Sequence, residues 1–348
     1  MTTLTQTAIV TRKSVRIGIF FIIFLIVGKM ALDLTIKIYR HYFPAPPPPP
    51  TVTFGKLPTI AFPEKARPSI SSITTETATG SLPILPTQAK VYFMPKPASN
   101  LLSLDLARTR AKALGFTDNE EKISETVYRF KRPNSESKIE INTATGAFSV
   151  SSDLSVDQSV LTLRAPAPEI AAAQVRSFLS GASILPEDLT GTIGHEFLKV
   201  EDKSLVHAVS LSEGNFTKIS LFRKSFDEAP SLTGDGKVGN VWFIVSGSRE
   251  RGQQIVAGQY NYFAVDPEKN STYPIKTSDQ AFQELSAGGG FIANMGNNPD
   301  GKIVVRKIYL GYFDPSTTSD FFEPIIVFEG DNEFLAYVPA VTSDYYGE

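Results

Sequence analysis

Apolar positions along the chain fall into three regimes. From Ile17 to Val27 every residue except Gly18 is Ile, Phe, Leu or Val, and the run continues with interruptions to Ile38 (IGIFFIIFLIVGKMALDLTIKI). From Thr51 to about Ala98 apolar residues such as Phe54, Ile60, Phe62, Ile84 and Leu85 are scattered among Thr, Ser and Pro. From Ser99 onward they recur with helical or alternating spacing, which marks globular structure.

The periodic part predicts a helix over Ser103–Gly115, with Leu104, Ala107, Ala111 and Leu114 as its apolar stripe, Ser103 as N-cap and Gly115 as the stop. Strands follow at Glu125–Lys131, Lys138–Asn142 and Ala147–Ser151, the last two joined by the turn Asn142–Gly146. A second helix over Pro168–Ser180 starts with Pro at its first position and stops at Gly181. Strands are then predicted at His195–Glu201, Leu205–Leu211, Thr217–Lys224, Val241–Gly247 and Ile255–Val265. Thr277 and Gln280 form a candidate capping box for a helix over Ser278–Ala287, ended by Gly288-Gly-Gly290. Lys302–Phe313, Glu323–Glu329 and Glu333–Ala340 close the chain as strands, the last two linked by Gly330-Asp-Asn332. Few helices laid on antiparallel sheet make an α+β fold.

The unbroken apolar run reads as a transmembrane helix. Each of its Ile, Phe, Leu and Val residues favours insertion by about 0.3 to 0.6 kcal/mol. Ile17 to Gly28 covers only about 18 Å at 1.5 Å per residue, short of a hydrocarbon core of about 30 Å. The helix therefore has to continue through Lys29, Asp33 and Lys37, which follow one another at i, i+4 steps on one face. Arg12, Lys13 and Arg16 precede the run and orient it with its N-terminal side in the cytoplasm, while Lys37, Arg40 and His41 weaken that asymmetry. An uncleaved signal-anchor fits best. A cleaved signal peptide stays open, although no Ala-x-Ala-like site follows, and a buried core helix fits least because the run has no polar face.

The resulting organisation is a polar tail (1–16), a signal-anchor helix (17–38), a Pro/Ser/Thr-rich stalk and linker read as extended and largely disordered with one strand near Lys90–Met94 (39–98), a small α+β unit (99–160), either a domain or one layer of a single larger one, and a larger unit (161–348). Tyr39, Tyr42 and Phe43 stand where an interfacial aromatic belt would lie, and the run Pro44–Pro50 suits a stiff polyproline spacer.

Composition narrows the function. Net charge is −2 over 348 residues, which gives no electrostatic case for nucleic acid. With 0 Cys, disulfides, thiolate catalysis and Cys-ligated metals are excluded. His195, Glu196 and His207 fall on neighbouring strands but lack a third ligand at metal spacing, and His207 reads as a sheet residue. No Gly-x-Ser-x-Gly occurs, and Ser246-Gly-Ser248 followed by Arg249, Glu250 and Arg251 reads as a turn. Asp227, Glu228 and Glu323 are acids that nothing in the pattern pairs for glycoside cleavage. Tyr and Phe crowd the last third (Tyr260, Tyr262, Phe263, Tyr309, Tyr312, Phe313, Phe321, Phe322, Tyr337, Tyr345, Tyr346) as core, with an exposed subset open as a partner or glycan surface.

Two parts of the chain resemble known families. Leu114-Gly115-Phe116, the strand Val127–Phe130 and the stretch Ile139–Gly146 resemble a PepSY-type unit, with Asn142 where that family carries an acid. Ala281–Leu285, Ile303–Tyr312, Phe322–Phe328 and Phe334–Ala340 resemble the C-terminal part of the YycH/YycI proteins. That resemblance implies a single-pass, extracytoplasmic protein that restrains a membrane histidine kinase and is not an enzyme.

The expectation is thus a membrane-anchored, non-enzymatic interaction or regulatory module of the bacterial envelope, with no cofactor, metal or catalytic residue. Its partner would be a membrane or envelope protein, contacted within the bilayer by Lys29, Asp33 and Lys37. An envelope glycan-binding protein or hydrolase is the alternative, and a deep cleft holding convergent acids or a His pair would distinguish it.

Overall fold

The structure, a computed structural model, describes residues 4–42, 48–66, 68–97, 102–154, 159–202 and 204–347. Phe43, most of the Pro run and the expected globular onset at Ser99 lie outside them. Two compact units result, residues 1–49 and 50–348.

The first unit is the helix α1 (Leu4–Tyr42). Its apolar part, Ile17–Tyr39, is 23 residues long, which at 1.5 Å per residue is about 34 Å, and none of it is buried. Length and composition suit a membrane span. The helix begins earlier than the apolar run, so the stretch expected as a non-helical tail (1–16) is helical from Leu4.

The second unit opens with β1 (Ser72–Thr75), in the stretch expected as linker, and β2 (Gln88–Phe93), which covers most of the strand expected near Lys90–Met94. Next come α2 (Ser103–Ala113) and a meander of β3 (Asp118–Lys122), β4 (Val127–Lys131), β5 (Lys138–Asn142) and β6 (Phe148–Ser151). The long helix α3 (Pro168–Gly181) leads to β7 (Ile193–Glu201), β8 (Ser204–His207), β9 (Phe216–Leu221), β10 (Ser231–Leu232) and β11 (Val241–Ser246). A single turn, α4 (Arg251–Gln254), precedes β12 (Ile255–Tyr260) and β13 (Asp266–Pro274). The rest is α5 (Ser278–Ser286), β14 (Phe291–Asn294), β15 (Lys302–Phe313), β16 (Phe321–Phe322), β17 (Pro324–Gly330) and β18 (Leu335–Pro339).

Among the described residues these strands form three sheets. The nine-stranded sheet runs β3-β4-β5-β6-β12-β11-β9-β7-β8, antiparallel throughout. The meander of the expected small unit therefore continues, through the β6–β12 pair, into strands of the expected larger one. The six-stranded sheet is ordered β1-β15-β17-β18-β14, with β10 beside β15; β1 and β10 pair with β15 in parallel. A three-stranded sheet places β2 between β13 and β16.

Alternation builds the core. Ile139 and Ile141 of β5, Phe148 and Val150 of β6, and Val241, Phe243 and Val245 of β11 point to one face, where α2 and α3 cover them with Ala107, Ala111, Ala171, Val175 and Leu179. A second core lies where α5 (Ala281, Leu285) meets Ile326 and Phe328 of β17 and Ala336 and Val338 of β18. The presumed linker contributes to the interior: Leu57 and Val91 are fully buried with Tyr273 and Val341. Phe62 stacks on Phe291 with 4.8 Å between ring centres. Its Thr, Ser and Pro content suggested disorder, yet its few apolar residues are the ones that bury.

One charged cluster joins the two large sheets. Arg223, past the end of β9, is buried; its Nε donates to Asp314 Oδ1 at 2.8 Å and its Nη1 to Asp188 Oδ2 at 2.5 Å. Nη2 donates to the carbonyl of Phe263, and the guanidinium lies 4.3 Å from the centre of the Tyr262 ring. Burial alone would make this cation harder to keep, but Asp314 and Asp188 outweigh it and hold Arg223 charged. Asp314 follows β15, so the cluster ties the end of that strand of the six-stranded sheet to the end of β9.

Candidate functional site

In α1 the side chains of Lys29, Asp33 and Lys37 are exposed, as are the apolar residues around them, and no ion pair joins the three to one another. Thr35 donates to the Ala31 carbonyl at 2.8 Å, which absorbs its hydroxyl within the helix. Lys29, Asp33 and Lys37 thus share one face of the helix with no ion pair among the described residues.

The other sequence candidates resolve into ordinary structural roles. His207 Nδ1 sits 3.3 Å from Glu196 Oε1 across the β7–β8 pair, while His195, on the opposite face of β7, packs near Phe197. No group of three His, Asp or Glu that could hold a metal occurs among the described residues. Ser246 donates to the Gln253 carbonyl at 2.6 Å and Ser248 to Gln253 Oε1 at 3.0 Å, so both hydroxyls brace the β11–β12 connection. Asp227 is taken by Lys90 at 2.9 Å and by the Tyr92 hydroxyl at 2.7 Å. Most of the C-terminal aromatics are interior: Tyr260, Phe263, Tyr312, Phe313, Phe322 and Tyr337 are buried. Asn142 accepts from the N–H groups of Ala144 and Thr145 at 2.9 and 3.2 Å, so it shapes the turn before Gly146.

A site absent from the sequence expectations lies where the C-terminal ends of α2 and α3 meet α4. This cleft has a volume of about 560 Å³, within the usual range for small-molecule sites. Leu114, Phe178 and Ile255 give it apolar surface, and Arg132, Gln174, Ser177, Ser180 and Arg251 its polar groups. No Asp, Glu or His lines it. A cleft of this composition lacks the convergent acids a hydrolase would use.

Arg132 is the centre of the cleft. It follows β4 on the same face as Tyr128 and Phe130, so alternation carries a guanidinium toward the core. Its Nη1 donates to the Gly252 carbonyl, its Nη2 to Leu114 O at 3.3 Å, and its plane lies 4.4 Å from the centre of the Phe116 ring. Its Nε has no hydrogen-bond partner, and neither has Oε1 of Gln174 on α3. Burial lowers the pKa of Arg132, and no nearby carboxylate counters that shift.

No family model matches the chain, and neither does any curated protein. Among solved structures, an uncharacterized protein from Eubacterium rectale ATCC 33656 is similar with a TM-score of 0.40 and 12% identity, over 80% of this chain and 90% of that one.

Proposed function

We propose that the protein is a single-pass, membrane-anchored interaction or regulatory module of a bacterial envelope, with residues 50–348 outside the membrane and no enzymatic activity. The observation that supports this most is α1: an apolar segment with none of it buried, attached to a chain whose remaining 50–348 form a separate compact unit. Arg12, Lys13 and Arg16 give the orientation by the excess of basic residues on the cytoplasmic side. The resemblance of the C-terminal strands to YycH/YycI adds the regulatory role, and a membrane protein is the partner it implies. Lys29, Asp33 and Lys37 supply the contact, because a charge within a bilayer is retained where a partner helix satisfies it.

The test is photo-crosslinking from α1 in native membranes, comparing the unaltered chain with Lys29→Leu/Asp33→Leu. Capture of a membrane partner should drop about tenfold, the equivalent of ~1.4 kcal/mol, while insertion measured by protease protection stays normal. Unchanged capture would sink the bilayer contact and move recognition to residues 50–348. Protection of residues 50–348 from protease added outside intact cells would sink the orientation.

A further inference from the structure

The nine-stranded sheet ends in β3 on one side and β8 on the other, and the two edges are built differently. β3 is Asp-Asn-Glu-Glu-Lys with every residue exposed, and its ladder to β4 is interrupted between Asp118 and Glu121. Exposed charge and a bulge both keep a strand edge from pairing with another chain. β8 has neither. It is Ser-Leu-Val-His, without Asp, Glu, Lys or Arg, and its ladder to β7 runs unbroken from the Leu198–His207 pair to the Glu201–Ser204 pair. Leu205 is 38% exposed and Val209, just beyond the strand, 85%.

Backbone direction shows what this edge offers. The Ala208 N–H donates to the Phe197 carbonyl at 2.8 Å, so Ala208 points at β7. Direction alternates along a strand, which turns Ser204 and Val206 toward β7 as well and Leu205 and His207 away from it. Among the described residues β8 has β7 as its one strand neighbour. The outward N–H and C=O groups of Leu205 and His207 therefore stand two residues apart with no ladder to join. The edges of the six-stranded sheet offer less: Lys65 Nζ donates to the Ala293 carbonyl of β14 at 2.8 Å, and β1 exposes only Ser72 and Thr74.

We propose that β8 pairs with β8 of a second copy of this chain, antiparallel about a two-fold axis at Val206, so that two nine-stranded sheets become one. Leu205 of each copy lies opposite His207 of the other, and each such pair exchanges two hydrogen bonds. Val206 meets its own counterpart in the close, non-hydrogen-bonded pair at the axis. The spacing of outward groups that an antiparallel partner must supply is thus met by the strand itself, without any charge brought against its like. Four residues a side is a small contact beside the roughly 800 Å² per partner of a stable complex. α1 offsets that, because copies held in one membrane meet at raised local concentration, as tethered modules do. To that extent the pairing rests on the anchored reading of α1.

The chain has 0 Cys, so a single introduced thiol reports the register. Val206→Cys brings the two Cα atoms to about 4.5 Å, within disulfide reach. Leu205→Cys leaves its two copies about 8 Å apart, from two residues of offset and one strand spacing, which is beyond reach. With the full chain in native membranes and copper phenanthroline as oxidant, Val206→Cys should form a linked dimer at least about tenfold faster than Leu205→Cys. Added to Val206→Cys, His207→Pro removes an outward N–H and spares the β7 ladder, and Leu205→Lys puts charge on the edge; each should slow linkage about tenfold. Protease resistance of residues 50–348 checks that each variant folds, and carbonate extraction of the same membranes reads the anchoring separately. Retention in the membrane without a Val206→Cys dimer, equal linkage at Leu205→Cys, or unchanged linkage in the folded edge variants overturns the pairing alone. Release of the chain by carbonate overturns the anchored reading and takes the pairing with it.

Discussion

Glu323 sits immediately before β17 with 3% of its surface exposed, and its Oε2 has no hydrogen-bond partner. Burial disfavours the carboxylate, and the pKa is pushed up to about 8 from the ordinary 4.5. The folded protein then keeps a proton that the unfolded chain releases above pH 4.5. Stability carries no penalty from this group below that value. It declines as pH rises toward about 8, and above that the full penalty remains. Glu323→Gln cannot ionise, so its melting temperature should exceed that of the unaltered protein at pH 8–9 and approach it near pH 4. Parallel melting curves across that range measure the difference, and a gap that does not change with pH would refute the account. Arg132 shows how much was legible at this scale. The alternation Tyr128, Phe130, Arg132 announces a guanidinium on the core face, but nothing local announces that Gln174 and Arg251 line the same cleft. The cleft draws on residues 113–115, 132, 174–181 and 251–255, which no short pattern connects.

Elements with strong local chemistry stood out in the sequence. The box at α5 is present as expected: Thr277 Oγ1 accepts from the Gln280 N–H at 3.2 Å and Gln280 Oε1 from the Thr277 N–H at 2.9 Å. A helix of 9 residues has few hydrogen bonds of its own, so its start matters. Thr277→Ala should cost about 1 kcal/mol, read as a lower urea midpoint with unchanged slope. The strand Lys302–Phe313 has the bounds its alternation predicts, and the strands at 138–142, 148–151 and 241–246 match within a residue or so. At α3 the stop comes later than Gly181, because Ser183 takes the left-handed conformation at φ 55°. Strand β13 went unseen because Asp266–Pro274 is mostly polar and exposed over residues 267–270; its register comes from β2, not from its own pattern. Strand β1, Ser72-Ile-Thr-Thr75, has the composition of a linker, and only its parallel partner β15 makes it a strand.

At the scale of the whole molecule, residues 50–97 belong to the folded unit. Leu57 and Val91 are fully buried, Tyr273 donates to the Gly55 carbonyl at 2.9 Å, and Ile60 N–H donates to the Tyr346 hydroxyl at 2.8 Å. Arg306 binds Glu76 at 2.7 Å as well as Asp331 at 2.6 Å. A truncation that starts at residue 99 removes β1 and β2, leaving one edge of β15 and the middle of the three-stranded sheet open. It should be protease-sensitive and prone to aggregate, whereas one that starts at residue 50 should resist limited proteolysis. Equal resistance would show that the segment only decorates the unit. The α+β class was legible because runs of several period-two stretches are separated by only a few period-3.6 ones. The extent of the unit was not legible, since a Pro- and Thr-rich stretch looks the same whether it crosses solvent or a surface.

The pairing of Ser72 with Lys302 also sets a clock. These residues are 230 positions apart, and β2 waits for partners as distant as Phe322. At a synthesis rate of roughly 5–20 residues per second, β1 emerges about 12 to 46 s before its partner exists. During that interval the nascent segment has unpaired strand edges and several aromatic residues, the features that drive misassociation. Long-range pairing of this kind also slows the folding search itself. The last strands to leave the ribosome are therefore the ones that complete the first, and a stalled or shortened chain strands β1 and β2 without a sheet to join.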